Sequence, residues 1–216
     1  MMQPSKLQSS VWIRVVDDDE DVRQSLSMML RCRGWQVKTF PGAQEFLAQD
    51  DLTTPGCLIL DVQMPETDGL ELQATLNKRG TTLPIIFLTA HGDIAMAVSA
   101  MQKGAAHFLQ KTSTAEEIAN AVALFSERSF RACESRQSLE TEEIRERYIK
   151  LTKRERQIVL MTHSMTSRLI AEELGISERT VENHRISACK KMGTMNTSEI
   201  LKQLETLREC GLSIGS

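Results

Sequence analysis

The chain has 216 residues, of which 41% are apolar and 25% are charged, and its formal net charge is −3. This length suits two domains of ordinary size, and the composition argues against a disordered chain, a collagen-like fibre and a disulfide scaffold. The charge is divided unevenly, because residues 1–130 carry 11 basic and 16 acidic side chains whereas residues 131–216 carry 15 and 13. This division predicts two modules with different partners.

Short apolar runs of strand length alternate with segments of helical periodicity over the first 110 residues. Strands are predicted at 11–16, 35–40, 57–60, 85–88 and 106–109. Helices are predicted at 20–33, 42–48, 68–78 and 93–103, and a capping box from Ser113 to Glu116 opens a fifth. The alternation predicts an α/β fold, a doubly wound five-stranded parallel sheet with helices on both faces.

The second half of the chain has helical periodicity only. Residues 126–150 are polar and lack Gly and Pro, which predicts an extension of the fifth helix followed by a helical linker. Four helices are predicted beyond it, at 153–162, 167–174, 178–192 and 197–208. A capping box from Thr152 to Glu155, and N-caps at Ser177 and Asn196, mark three of their starts. We therefore expect an all-α four-helix domain.

Signals for export or membrane insertion are lacking. No apolar stretch approaches the length of a membrane span, and residues 1–10 contain no apolar signal-peptide region. The five cysteines are odd in number, widely scattered and without a C-x-x-C pair. We therefore expect a cytoplasmic protein with no membrane partner.

Polar groups follow the predicted strands where each strand ends. Asp17 and Asp18 follow the first strand, Asp61 the third, Thr89 the fourth and, after one residue, Lys111 the fifth. The carboxyl ends of parallel strands form the ligand-binding edge of such a sheet. Clustered carboxylates favour a hard cation such as Mg²⁺, and an ammonium and a hydroxyl suit an incoming phosphoryl group.

These residues resemble the receiver domain of two-component response regulators. The resemblance covers roughly residues 10–130, with the receiver domain itself expected at 10–126, and rests on Val16-Asp17-Asp18, Leu60-Asp61-x-x-Met64-Pro65, Asp68-Gly69, Leu88-Thr89-Ala90 and Lys111. It implies a flavodoxin-like fold in which Asp61 accepts a phosphoryl group from a sensor histidine kinase. It also implies that Mg²⁺ is held by Asp17, Asp18, Asp61 and the backbone carbonyl of Gln63.

The resemblance assigns three further residues to the switch. Lys111 would pair with the phosphoryl group, Thr89 would move to hydrogen-bond it, and Phe108 would be the switch aromatic. One position departs from the family, which usually has Pro after the Lys, often with a cis bond, whereas this chain has Thr112. A non-proline cis bond costs about 2.5–4 kcal/mol, so we expect a trans bond here.

Two alternatives to phosphorylation control remain at this point. One is a regulator that binds DNA without phosphorylation, which the Lys111-Thr112 departure leaves open. The other is an aspartate-nucleophile phosphohydrolase of the haloacid dehalogenase kind, which would need a second Asp two residues after Asp61, where this chain has Gln63.

Residues 167–192 have the pattern of a DNA-binding helix-turn-helix, although spacing alone also fits a plain helical bundle. Gly175 provides the turn and Ser177 caps the second helix. One face of that helix carries side chains suited to base edges, namely Arg179, Glu182, Asn183, Ile186 and Lys190. Phosphate contacts are predicted for Thr180, Arg185, Lys190 and Lys191.

The second module is similar to the LuxR-type DNA-binding domain. The resemblance covers residues 148–210 and rests on Leu151-Thr152-x-Arg154-Glu155 and on Ile170-Ala171-x-x-Leu174-Gly175-Ile176-Ser177-x-Arg179-Thr180-Val181-Glu182-x-His184-Arg185. Two positions depart from its usual pattern: Ser164 replaces a common Gly and Ser167 a common Asn.

Joined through a helical linker at 127–147, the two modules resemble the NarL/FixJ subfamily of response regulators, on the FixJ side. This implies a transcriptional regulator rather than an enzyme, with promoter DNA and RNA polymerase as partners and a homodimer formed on phosphorylation. Residues 151–216 carry only 10 basic and 8 acidic side chains, so one module alone should bind DNA weakly. Dimerisation is therefore the expected gate for specific binding.

Overall fold

A computed structural model describes residues 5–90 and 94–209. The chain divides into two compact units, 1–134 and 135–216. The elements of the first unit are, in chain order, α1 (Lys6–Ser10), β1 (Trp12–Val16), α2 (Glu20–Cys32), β2 (Gln36–Phe40), α3 (Ala43–Gln49), β3 (Gly56–Leu60), α4 (Gly69–Lys78), β4 (Ile85–Thr89), α5 (Ile94–Gln102), β5 (His107–Gln110) and the first part of α6 (Ala115–Ile149).

The five strands form one parallel sheet in the order β2-β1-β3-β4-β5. The predicted fold class is therefore confirmed. In this order the chain leaves β1 toward one edge of the sheet and then returns to the other side of β1. Ligands of doubly wound sheets bind at such a switch point, outside the carboxyl ends of the strands. Here the point lies between β1 and β3, where Val16 pairs with Leu60.

Side chains of the strands alternate between two apolar clusters, one on each face of the sheet. Ile59 packs in the cluster that α2 and α6 cover, whereas its neighbours Leu58 and Leu60 pack in the cluster that α3, α4 and α5 cover. All five residues of β3 are buried, as expected for a strand covered on both faces.

The second unit is helical and has two apolar clusters of its own. Its elements are the end of α6, α7 (Lys153–Met161), α8 (Ser167–Leu174), α9 (Glu178–Met192) and α10 (Thr197–Glu209). One cluster joins α7, α9 and α10 to Tyr148 near the end of α6, and the other joins α7 to α8 and α9. The predicted capping box at Thr152 is present, as are the caps at Ser177 and Asn196.

One local expectation was wrong, and one short helix was not expected. The capping box of α6 joins Thr114 to Glu117, not Ser113 to Glu116, because the amide of Glu117 donates to the Thr114 hydroxyl and the amide of Thr114 to the Glu117 carboxylate. Adjacent hydroxyls and adjacent carboxylates allow both registers in the sequence. The short helix α1 was not expected, although Ser5 and Gln8 form a capping box that marks its start.

None of the helices that the structure describes combines the length and the apolar composition that a bilayer crossing requires.

Candidate functional site

The predicted acidic groups meet at the carboxyl edge of the sheet. Asp17 directly follows β1 and Asp61 directly follows β3, and these strands are paired neighbours. The Lys111 ammonium lies 2.7 Å from Asp17 Oδ2 and 2.7 Å from Asp61 Oδ2, so it bridges the two carboxylates. Carboxylate oxygens of Asp17, Asp18 and Asp61 lie within 4.8 Å of one another. The structure therefore brings together four of the predicted site residues.

Two carboxylates of this cluster are buried, which makes their ionised forms less favourable. Asp17 is 2% exposed and Asp61 5% exposed, whereas Asp18 is exposed. Burial raises the pKa of Asp17 above its usual range, and hydrogen bonding to Lys111 offsets only part of that rise. For Lys111, burial alone would lower the pKa, but the two carboxylates raise it. Three closely spaced carboxylates, one of them solvent-facing, are a donor set that fits a hard divalent cation.

The remaining predicted receiver residues lie near this edge. Thr89 is the last residue of β4 and is fully buried, and the amide of Gln63 donates to Asp61 Oδ1 at 3.3 Å. Phe108 is half-buried in β5, with its ring centroid 6.2 Å from that of Phe87. The bond between Lys111 and Thr112 is trans, as expected.

Two side chains that the sequence analysis did not assign to the site hold the loop between β1 and α2. Asp19 is the N-cap of α2 and accepts hydrogen bonds from the amides of Asp21 and Val22. Arg23 donates from one nitrogen to the carbonyls of Asp17 and Asp18, at 2.7 and 2.9 Å. The sequence did contain a signal for this contact, because Arg23 lies one turn into α2, the helix that follows the Asp17-Asp18 pair.

Gly69 permits the close approach of α4 to the Asp61 backbone. A Cβ at Gly69 would lie 2.1 Å from the Asp61 carbonyl oxygen, and the Gly69 amide donates to the Val62 carbonyl at 2.8 Å. The position of the carboxylate thus depends on a glycine eight residues further along the chain.

We expect Gly69→Ala to lower the free energy of unfolding of the first unit by about 2 kcal/mol, because the clash is with backbone and cannot be relieved by a rotamer change. Urea unfolding followed by tryptophan emission measures this, since Trp12 and Trp35 both lie in that unit. Gly42→Ala is the matched control, because its Cβ would meet only the flexible Glu45 side chain. Equal stability losses in the two variants would contradict the conclusion that Gly69 is needed for the close approach of α4 to the Asp61 backbone.

The outer face of α9 carries four of the residues predicted to read DNA. Arg179, Asn183, Ile186 and Lys190 are exposed, whereas the inner face of the helix is buried through Val181, Ala188 and Met192. The Thr180 hydroxyl lies 2.8 Å from the Ser177 hydroxyl at the start of α9. An exposed polar face on a helix that follows a glycine turn suits insertion into a major groove.

Arg185 and Glu182 contact other residues of the same unit. Arg185 Nη1 donates to Glu182 Oε1 at 2.9 Å and to the Ser167 hydroxyl at 2.6 Å. The Ser167 hydroxyl in turn donates to Glu182, and Arg185 Nη2 donates to the Thr197 hydroxyl at 3.3 Å. These four side chains, the Arg185 network, connect α9 to the first residues of α8 and α10.

Lys191 is paired on the other side of α9. Its ammonium lies 2.9 and 2.7 Å from the two carboxylate oxygens of Glu155, which also accepts from the Ser187 hydroxyl at 2.6 Å. Although burial opposes ionisation, the hydrogen bonds that Glu155 accepts lower its pKa to about 2. These three side chains, the Lys191 network, connect α9 to α7. The Leu151-Thr152-x-Arg154-Glu155 motif was the signal for this contact, but the sequence did not identify its partner.

Comparison with known proteins accounts for both units. A family model described as "Response regulator receiver domain" matches residues 13–123, and one described as "Bacterial regulatory proteins, luxR family" matches residues 150–203. The chain is 38% identical over 205 residues to the transcriptional regulatory protein TdiR of Thauera aromatica, covering 93% of this chain and 88% of TdiR. It is also 38% identical over 194 residues to the transcriptional regulatory protein FixJ of Azorhizobium caulinodans, covering 89% and 91% of the two chains.

Solved structures show the same likeness over most of the chain. The response regulator StyR matches with a TM-score of 0.60 and 34% identity, covering 91% of this chain and 98% of StyR. Full-length FixJ from B. japonicum matches with a TM-score of 0.51 and 32% identity, covering 92% and 98%.

Proposed function

This chain belongs to the two-component response regulators that join a receiver domain to a LuxR-type DNA-binding domain, and from that premise we propose that phosphorylation of Asp61 controls its binding to promoter DNA. The family comprises transcriptional regulators rather than enzymes. The observation that carries the proposal is the buried Asp61 carboxylate with the Lys111 ammonium 2.7 Å away at the switch point of the sheet. We place the receiver domain at 10–126, the linker at 127–147 and the DNA-binding domain at 148–210.

The chemistry we propose at Asp61 is transfer of a phosphoryl group from a phosphohistidine of a sensor kinase. A carboxylate oxygen of Asp61 attacks the phosphorus, the phosphorus–nitrogen bond breaks, and the departing imidazole takes up a proton. The product is an acyl phosphate on Asp61. Lys111 already contacts Asp61 and pairs with the added negative charge, and the Thr89 hydroxyl at the end of β4 donates to a phosphoryl oxygen.

The acidic cluster supports a bound Mg²⁺ as the cofactor of this transfer. Asp17, Asp18 and Asp61 would hold the ion with the backbone carbonyl of Gln63, and their mutual proximity supports this set. When bound, the ion neutralises charge on the phosphoryl oxygens. Arg23 keeps the carbonyls of the Asp17-Asp18 pair in place, and Phe108, half-buried in β5, changes its packing when Thr89 engages the phosphoryl group.

The metal assignment predicts opposite effects of Asp17→Asn with and without Mg²⁺. Because burial raises the pKa of Asp17, the folded state binds the proton more tightly than the unfolded chain does, and ionisation at neutral pH lowers stability. In EDTA the variant should therefore unfold at a higher temperature than the wild type. Mg²⁺ at about 100 times its Kd should stabilise the wild type by about 2.7 kcal/mol and the variant far less.

Thermal unfolding of both proteins with EDTA or Mg²⁺ measures these effects. Asp19→Asn is the matched control, because it removes a neighbouring charge yet keeps the N-cap of α2. An Asp17→Asn variant that responds to Mg²⁺ as strongly as the wild type would refute the metal site.

We propose that the phosphorylated receiver forms a homodimer through the face of α5 and β5. Ile94, Val98 and Met101 are exposed on α5, at 85%, 48% and 45%. They are spaced three and four residues apart, so they form one apolar stripe. Such a stripe suits an isologous contact between two copies of the chain.

Val98→Glu should abolish the phosphorylation-dependent dimer, because two opposed carboxylates would lie at the contact. Sedimentation velocity of the full chain with acetyl phosphate and Mg²⁺ measures the dimer fraction. Met28→Glu is the control, since Met28 is an exposed apolar residue on α2, away from the proposed contact. If Val98→Glu dimerises as the wild type does, the contact lies elsewhere.

We further propose that the dimer binds a two-fold symmetric site on promoter DNA in the cytoplasm and acts on RNA polymerase there. The exposed face of α9 supplies the base-reading residues, with Arg179, Asn183 and Ile186 as the central set, and Lys190 near the end of that face contacts a phosphate. The experiment is selection from random duplexes by the phosphorylated full chain. We expect enrichment of two half-sites about one helical turn apart, and no enrichment at all would refute DNA binding.

A further inference from the structure

We infer that Arg185 and Lys191 are positioning residues that fix the rotation of α9 in the DNA-binding unit, and that neither contacts a DNA phosphate. Both were predicted from the sequence as phosphate contacts. The inference rests on the proposed DNA binding and narrows the set of side chains that perform it.

The two side chains hold α9 from different sides. Successive residues of an α-helix lie about 100° apart, which places Arg185 and Lys191 on opposite sides of the buried stripe formed by Val181, Ala188 and Met192. The Arg185 network ties one side to α8 and α10, and the Lys191 network ties the other side to α7. Rotation of α9 in either direction would therefore break one of the networks.

Each cation is paired with a carboxylate of its own unit, Arg185 with the half-exposed Glu182 and Lys191 with the buried Glu155. The Arg185 side chain is 31% exposed and the Lys191 side chain 34% exposed, and each ion pair is 2.9 Å or shorter. The Glu155 side chain that Lys191 meets is only 4% exposed. Turning Lys191 toward a phosphate would leave that buried carboxylate without its cation, which is strongly unfavourable.

The outward cations differ from these two. Arg179 and Lys190 are exposed, and neither is in an ion pair with another residue of the described ranges 5–90 and 94–209. Lys190 is adjacent to Lys191 in sequence but lies about 100° further round the helix, on the exposed face. Lys190 and Lys191 therefore allow the DNA-facing role and the positioning role to be compared between two lysines.

The salt dependence of DNA affinity tests the inference. Each phosphate contact contributes about 0.9 to the slope of log K against log salt, so a contact made by both chains of a dimer contributes about 1.8. The full chain with acetyl phosphate and Mg²⁺ is titrated with a duplex of about 30 base pairs enriched by selection with the wild type. KCl is varied between about 50 and 200 mM.

Lys190→Gln should reduce the slope by about 1.8. Arg185→Gln should weaken binding by the same factor at every salt concentration and leave the slope at the wild-type value. Since Lys191→Gln alone leaves Glu155 buried and unpaired, the lysine is tested in the double variant Glu155→Gln/Lys191→Gln, which should also keep the wild-type slope.

Ser167→Ala provides a test that changes no charge. It removes the hydroxyl that joins the Arg185–Glu182 pair to α8, so we expect unchanged salt dependence but weaker discrimination between the enriched duplex and single-base variants of it. Unchanged discrimination, or a slope loss in Arg185→Gln or the double variant equal to that of Lys190→Gln, would overturn the inference. A wild-type protein that binds no duplex would instead refute the proposed function itself.

Discussion

Asp61→Asn should incorporate no phosphoryl group from acetyl phosphate, whereas the wild type should reach about one per chain. The asparagine amide has nearly the same shape but is not nucleophilic. Lys111 would keep its contact with Asp17, so the fold of the site should survive the change. Intact-mass spectrometry of the two proteins after incubation with Mg²⁺ and the phosphodonor measures the stoichiometry directly.

Asp51→Asn is the control for this prediction. Its side chain is 54% exposed in the segment that precedes β3, at the amino end of the strands and away from Asp61. It accepts from the amides of Thr53 and Thr54 through one oxygen, a role that asparagine can keep. We expect its stoichiometry to match the wild type. Undiminished labelling of Asp61→Asn would place the phosphoacceptor on another residue.

Glu155→Gln should lower the free energy of unfolding of the DNA-binding unit by about 3 kcal/mol. The carboxylate is almost fully buried and accepts from Lys191, Ser187 and the Thr152 amide. The amide would leave Lys191 unpaired and would offer the Thr152 capping box one acceptor fewer. We place the loss at the lower end for a broken buried pair, because Lys191 keeps some contact with water.

The same carboxylate predicts a pH dependence. The folded pKa of Glu155 is about 2, below the 4.5 of an unperturbed glutamate, so the folded state favours the ionised form. Its contribution to stability is therefore complete above the unfolded pKa and is lost as the pH falls toward 2. Between pH 5 and pH 3, the difference in stability between the wild type and Glu155→Gln should shrink.

Hydrogen exchange of peptides from α7 and α9 in urea measures this stability without interference from the first unit. Glu172→Gln is the control, because Glu172 is in an exposed pair with Arg168 and its loss should cost less than about 0.5 kcal/mol. Equal losses in the two variants, or a difference that is constant with pH, would contradict the role of Glu155.

The convergence of the acidic site was predictable because parallel strands impose it. A residue that directly follows a strand must lie at the carboxyl edge of the sheet, so correct strand ends were enough to gather Asp17, Asp61 and Lys111. The helices of the second unit could be predicted from the sequence equally well, since glycine turns and capping residues mark their ends.

The side chains that pair with one another inside a unit could not be predicted in the same way. Periodicity places Arg185 and Lys191 on a helix face, but it does not show which other helix approaches that face. Arg14 is a further example: it is fully buried in β1 and paired with Asp50 at 3.1 Å, although a charged residue in a strand ordinarily indicates an exposed edge. Its partner lies 36 residues away, and only the packing of α3 brings it close.

The affinity of the full chain for the selected duplex, with and without acetyl phosphate, tests the central claim most directly. We predict that phosphorylation tightens binding at least about fivefold, the lower end of ordinary allosteric coupling, and that Asp61→Asn shows no change. Equal affinity of the wild type in both conditions would contradict control by phosphorylation and would favour a regulator that binds DNA constitutively.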